Sequence, residues 1–230
     1  MLKPFGSGIW VHDGAEIMGA MGFHYPTRMV AIRLSHGGVW VCSPTQLTAE
    51  LKAAIDNLGP VVALIAPNTL HHTFIAEWQS AYPAAALFAL PQLQAKRPDL
   101  NPDGEIGNEP AGLWAGEIDQ VVVTGNAMLT EAVFFHRASG VVLFTDLLQN
   151  LPKDWYSGWR RIIARLDLML APEPTVPRKF RMAFRDRQAA RAAIARILDW
   201  PVEQVLMAHG RPVTSNGQAF LRRAFAWLLL

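Results

Sequence analysis

The sequence is poor in cysteine and in charge. Cys42 is the single cysteine among 230 residues. That excludes an internal disulfide framework and fits a reducing, cytoplasmic location. Charged residues make up 17% and the formal net charge is +2, too small to imply a nucleic-acid or membrane partner. No run of 18 apolar residues occurs, so no membrane span is expected. The first residues, MLKPFGSGIW, lack an apolar stretch of the kind a secretory signal needs. Also missing are a Walker loop, GxGxxG, GxSxG, a fixed-period repeat and a linker able to separate two domains. A single domain over residues 1–230 is therefore expected.

Apolar residues, by contrast, are plentiful. At 51% hydrophobic, the chain can fill a large core and is not disordered. The apolar tail, Phe220–Leu230, reads as a terminal helix docked on its own core. It also leaves a homodimer open.

β-Branched and aromatic runs between turn signals predict strands at Gly8–His12, Met29–Leu34 and Val39–Cys42. His36-Gly37-Gly38 makes a hairpin of the last two. A helix follows at Thr48–Leu58, with Thr48 as N-cap and Gly59 as its stop. Val61–Ala66 is a strand, Leu70–Ser80 a helix, and Ala86–Ala89 a strand. Pro91–Gly116 reads as an irregular surface excursion. Further strands are predicted at Gln120–Val123, Glu131–His136, Val141–Thr145 and Gln204–Met207. Further helices are predicted at Trp155–Leu168, Asp186–Leu198 and Ser215–Leu229. Each half opens with antiparallel strands and ends in β-α units.

Polar residues gather where strands end. His71 and His72 follow the run Val61–Ala66 and a Pro-Asn-Thr turn, and imidazoles there are good metal donors if other ligands reach them. Asp146 follows Val141–Thr145, where it would hold a metal, orient a histidine or cap the turn. His209 follows Val205–Ala208, as a structural residue or as a ligand. His12, His24, His36 and His136 read as structural or surface residues, and Trp78, Trp114, Trp155 and Trp159 as core or rim. Cys42, inside a strand with no adjacent base, reads as an inert thiol. The stretch Arg178–Arg196 holds seven basic residues against one acid. Lacking interleaved aromatics, it reads as a solvated helix face and not as a nucleic-acid platform.

The order of these signals resembles the metallo-β-lactamase superfamily, and within it a bacterial branch catalogued as a domain of unknown function. The segments that carry the resemblance are Tyr25-Pro26-Thr27-Arg28-Met29, Leu34–Pro44, Ala66–His72, Phe144–Leu148 and Ala208-His209-Gly210. They cover nearly the whole chain. The resemblance implies an α/β fold, a four-layer αβ/βα sandwich of two mixed β-sheets flanked by helices, with a metal site at the sheet edges.

Laid on this sequence, the superfamily's His-x-His-x-Asp-His motif falls on Pro67, Thr69, His71 and His72. A further histidine falls on Asn126, the bridging aspartate on Asp146 and the last histidine on His209. The donors of one metal thus read Pro67, Thr69 and Asn126, which hold no zinc. Those of the second read His71, His72, Asp146 and His209. The resemblance therefore implies at most one ion, zinc before iron or manganese. His72, Asp146 and His209 would bind it, with His71 as a fourth ligand or a neighbouring base. The function so implied is a degenerate metallo-hydrolase acting on a small ester, amide or phosphate. The alternative is a metal-free module that binds a small molecule or a protein.

Overall fold

Val61–Ala66 is six consecutive apolar residues, and a segment that apolar is stable as a strand only with both faces covered. The computed structural model, which describes residues 1–229, places it inside a seven-stranded sheet. The chain divides into two compact units. The first comprises Met1–Ala15, Thr27–Gln120 and His136–Ser139; the second comprises Glu16–Pro26, Val121–Phe135 and the chain from Gly140 onward.

The seven-stranded sheet runs in sequence order: β1 (Lys3–Gly6), β2 (Ile9–Met18), β3 (His24–Arg33), β4 (Val39–Cys42), β5 (Val61–Ala66), β6 (Ala86–Ala89) and β7 (Gly104–Glu105). β1 pairs with β2 and β3 with β4 in antiparallel register, while β4 to β7 are mutually parallel. The switch to parallel pairing coincides with the first helical crossover. α1 (Ala49–Asp56) makes it, with the Thr48 hydroxyl accepting the Leu51 N–H at 3.2 Å as the N-cap should. α2 (Ile75–Ala81) makes the next and places Trp78 in the core, its indole N–H on the Thr45 carbonyl at 2.7 Å. α3 (Pro91–Lys96) follows β6 and buries Leu93. With Leu51, Ile55 and Ile75, these side chains close one face of the sheet.

The second sheet has the order β11-β10-β9-β8. β8 (Ile118–Val123), β9 (Glu131–His136) and β10 (Val141–Asn150) are joined by connections too short for parallel crossovers, so they are antiparallel. β11 (Gln204–Gly210) joins β10 in parallel. The helices of this unit are α4 (Gly158–Leu166), α5 (Arg178–Ala183), α6 (Arg187–Leu198) and α7 (Gly217–Leu229). Ile194 and Ile197 of α6 and Phe220, Leu221 and Phe225 of α7 pack on Val142, Phe144, Val205 and Met207. The apolar tail is thus a terminal helix docked on its own core; its last residue, Leu230, lies outside the described residues.

Several expectations change. The helix expected from Leu70 begins at Ile75, because the Asn68 side-chain oxygen accepts the N–H groups of Leu70 and His71 at 2.8 and 2.9 Å. That Asx turn takes donors a helix would have used, so both histidines lie in a turn ahead of α2. The excursion Pro91–Gly116 contains α3 and β7, and α5 lies inside the basic stretch. β10 and β11 run past Thr145 and Met207, so Asp146 and His209 lie within strands and do not close them. Arg181 and Arg191 are not merely solvated: they donate to the carbonyls of Val176 and Leu228 at 2.9 and 2.6 Å.

Candidate metal centre

Asp146 sits where β10 loses step with β11. The parallel register pairs Phe144 with Met207 and then Gln149 with His209, so Thr145–Leu148 form a bulge. Bulges re-aim side chains and leave backbone groups without ladder partners. Here those groups are received by the buried Glu131 of β9. Its carboxylate accepts the N–H of Thr145 at 2.9 Å, of Asp146 at 2.7 Å and of Leu147 at 3.0 Å. Burial, and then the negative charge of Asp146, push the Glu131 carboxyl above its ordinary value, against the pull of the N–H groups at Thr145 and Asp146. In the sequence the one signal for Glu131 is an acid that opens the apolar run Ala132–Phe135.

His209 lies within the same unit, 3% exposed against 5% for Asp146. Its Nδ1 is 2.8 Å from the carbonyl oxygen of Pro26, and its Nε2 is 3.1 Å from Asp146 Oδ1. A carbonyl only accepts, so Nδ1 carries the proton. Nε2 is the ring nitrogen left to face the Asp146 carboxylate. Donation from the second ring nitrogen to a backbone carbonyl is also how a metal-binding imidazole is oriented. Tyr25 lies against the ring, at 5.4 Å between centroids. Gly210 allows the close pass behind it: with φ of +113°, any Cβ would stand 2.1 Å from the Asn150 carbonyl oxygen.

In the other unit His71 is held by two groups. Asn68 fixes its backbone, and the Ser43 hydroxyl meets its Nδ1 at 2.5 Å. Ser43 takes a left-handed φ of 53°, an unusual conformation for serine that places the hydroxyl at the end of β4. His72 has its Nδ1 2.9 Å from the Arg97 guanidinium. Burial first, then the charges of Lys96 and Arg97, hold it below the ordinary histidine value.

Asn126, where the resemblance sets a further histidine, is tied to the backbone around it. Its oxygen accepts the N–H of Met128 and Leu129 and its nitrogen donates to the Phe180 carbonyl at 2.8 Å. The histidines read as structural have local partners: His12 with Thr45, His24 with Glu16, His36 with the Leu113 carbonyl and His136 with Ser139. Cys42 is buried in β4.

The buried Asp146 carboxylate and the His209 imidazole beside it are donor types that suit a divalent ion. Comparison with known proteins agrees on the fold. The metallo-β-lactamase from Pontibacter korlensis matches with a TM-score of 0.65 and 14% identity, over 99% of this chain and 98% of that one. The metallo-β-lactamase from Hirschia baltica matches at 0.64 and 11%, over 100% and 97%. FIM-1 from Pseudomonas aeruginosa, in its mono-zinc form, matches at 0.62 and 12%, over 100% and 92%. Identities this low establish the fold alone: two mixed sheets flanked by helices, as in the metallo-β-lactamases. No curated protein matches the sequence. Residues 7–157, well over half of the chain, match the family described as Domain of unknown function (DUF4336), and the chain belongs to that family.

Proposed function

We propose that this protein is a metal-dependent hydrolase that works with one divalent ion, with Asp146 and His209 as ligands. The observation that carries this reading is the buried approach of His209 Nε2 to Asp146 Oδ1 at 3.1 Å, with Nδ1 committed to the Pro26 carbonyl. Zinc takes carboxylate and imidazole ligands, and its catalytic sites keep a position open for water or substrate. When bound, such an ion lowers the pKa of a water molecule and polarises an ester, amide or phosphate oxygen. The chain's own residues orient and exclude. Glu131 holds the Asp146 backbone, and the Pro26 carbonyl orients the His209 ring. The mono-zinc FIM-1 is a protein of the same fold with one ion, which supports a single-ion reading where Pro67, Thr69 and Asn126 replace the other donors.

The test is a panel of activated carboxylic and phosphate esters and a lactam, assayed with protein purified without chelator. Turnover should be abolished by chelator, by Asp146→Asn and by His209→Ala, and zinc should restore it after chelation. Turnover that persists in both variants would refute the assignment. Absence of both turnover and metal would leave the fold as a metal-free binding module.

A further inference from the structure

Helix α4, of sequence Gly-Trp-Arg-Arg-Ile-Ile-Ala-Arg-Leu, is amphipathic in an inverted sense. Trp159, Ile162, Ile163 and Leu166 follow the i, i+3, i+4, i+7 spacing that puts them on one face. On a helix packed against its own protein that face is inside. Here it is outside: Ile162 is 63% exposed, Leu166 60%, Trp159 45% and Ile163 44%, and the side turned inward is marked only by Ala164. Within the same unit, Met21 between β2 and β3 is 72% exposed and Met182 of α5 is 71% exposed. Met21 and Met182 join Ile163, Leu166, Phe23 and Tyr25 in lining an open cleft of about 520 Å³.

Cations surround this apolar surface. Arg160, Arg161 and Arg165 stand on α4 beside the apolar stripe, and Arg178 and Lys179 line the cleft. The acid among the cleft residues is Asp167, which pairs with Lys179 at 3.5 Å. Arg160 donates to the Met21 carbonyl at 3.0 Å and lies 4.6 Å from the Trp159 ring, tying the helix to the β2–β3 turn. Arg161, Arg165 and Arg178 are exposed and point their charge at solvent.

An apolar stripe flanked by arginines, with Trp and Met at its edges, is the chemistry of a helix lying in a lipid headgroup layer. No described helix is long and apolar enough to cross a membrane, so the contact would be interfacial. A second copy of the chain is a poorer occupant, because self-pairing would bring one arginine rim against another. We propose that α4 and the adjoining cleft dock this protein on the surface of an anionic phospholipid bilayer, independently of any metal.

The test is co-sedimentation of the full chain with vesicles of phosphatidylcholine alone and of phosphatidylcholine and phosphatidylglycerol in equal parts. The protein should sediment with the anionic vesicles only, and less as salt rises. Arg161→Gln with Arg165→Gln should weaken binding about 25-fold, at about fivefold per charge. Ile162→Ser and Leu166→Ser should each weaken it about tenfold. These four side chains are exposed, so thermal unfolding of the variants should match the parent. The proposal is overturned if the parent ignores anionic vesicles, or if the serine variants bind as well as the parent. It is equally overturned if the parent sediments as a dimer that Ile162→Ser converts to monomer.

Discussion

Glu131 Oε2 receives the backbone N–H of Asp146 at 2.7 Å, so the carboxylate that organises the site's aspartate is another buried carboxylate. The bulge in β10 makes this necessary, since the N–H groups of Thr145, Asp146 and Leu147 all turn to that one side chain. Glu131→Ala would strand three buried donors, and the expected loss is about 3 kcal/mol or more in denaturant unfolding. A loss below about 1 kcal/mol would show that the bulge does not depend on Glu131.

Gly210 supports His209 from behind. Gly210→Ala must either move β11 away from Asn150 or abandon a φ of +113°. The variant should lose more than about 1 kcal/mol of stability, and it should lose turnover along with any bound metal. An alanine variant with the parent's melting temperature and activity would mean that the strand has room the structure does not show.

The buried His136 gives a pH dependence whose sign is fixed. Burial holds its folded-state pKa below the ordinary 6.5. Between the two values the unfolded chain binds more protons than the folded one, so stability rises with pH there and is lost as pH falls below 6.5. His136→Gln should flatten that part of the stability curve relative to the parent. Curves of identical slope between pH 5 and 6.5 would contradict the burial argument.

Cys42 is 3% exposed in the interior of β4. In the native protein it should react with a thiol reagent only at the rate of unfolding, and rapidly once denaturant is present. Prompt labelling of the native protein would show that β4 opens locally.

Much of the fold can be read from the sequence where local and global preferences agree. Val39–Cys42, Val61–Ala66, Ala86–Ala89 and Glu131–His136 are strands with the expected bounds, because each is an apolar run between turn residues. What the sequence hides is set by long-range partners. β10 continues through Asp146, Gln149 and Asn150, polar residues that look like a strand's end until Glu131, His209 and the Arg211 carbonyl meet them. The turn holding His71 depends on Asn68, whose capping role competes with a helix that the apolar periodicity favours. Of the candidate donors, Asp146 and His209 are legible as polar residues after apolar runs. The differing settings of His71 and His72 are not, because Ser43 and Arg97 lie 28 and 25 residues away.

The central claim is that one divalent ion is bound at Asp146 and His209. It is tested most directly by elemental analysis of protein purified without chelator, beside the His209→Ala variant. About one equivalent of a divalent metal, zinc first, is expected in the parent and none in the variant. A parent that carries no metal and takes up none from added zinc would contradict the account.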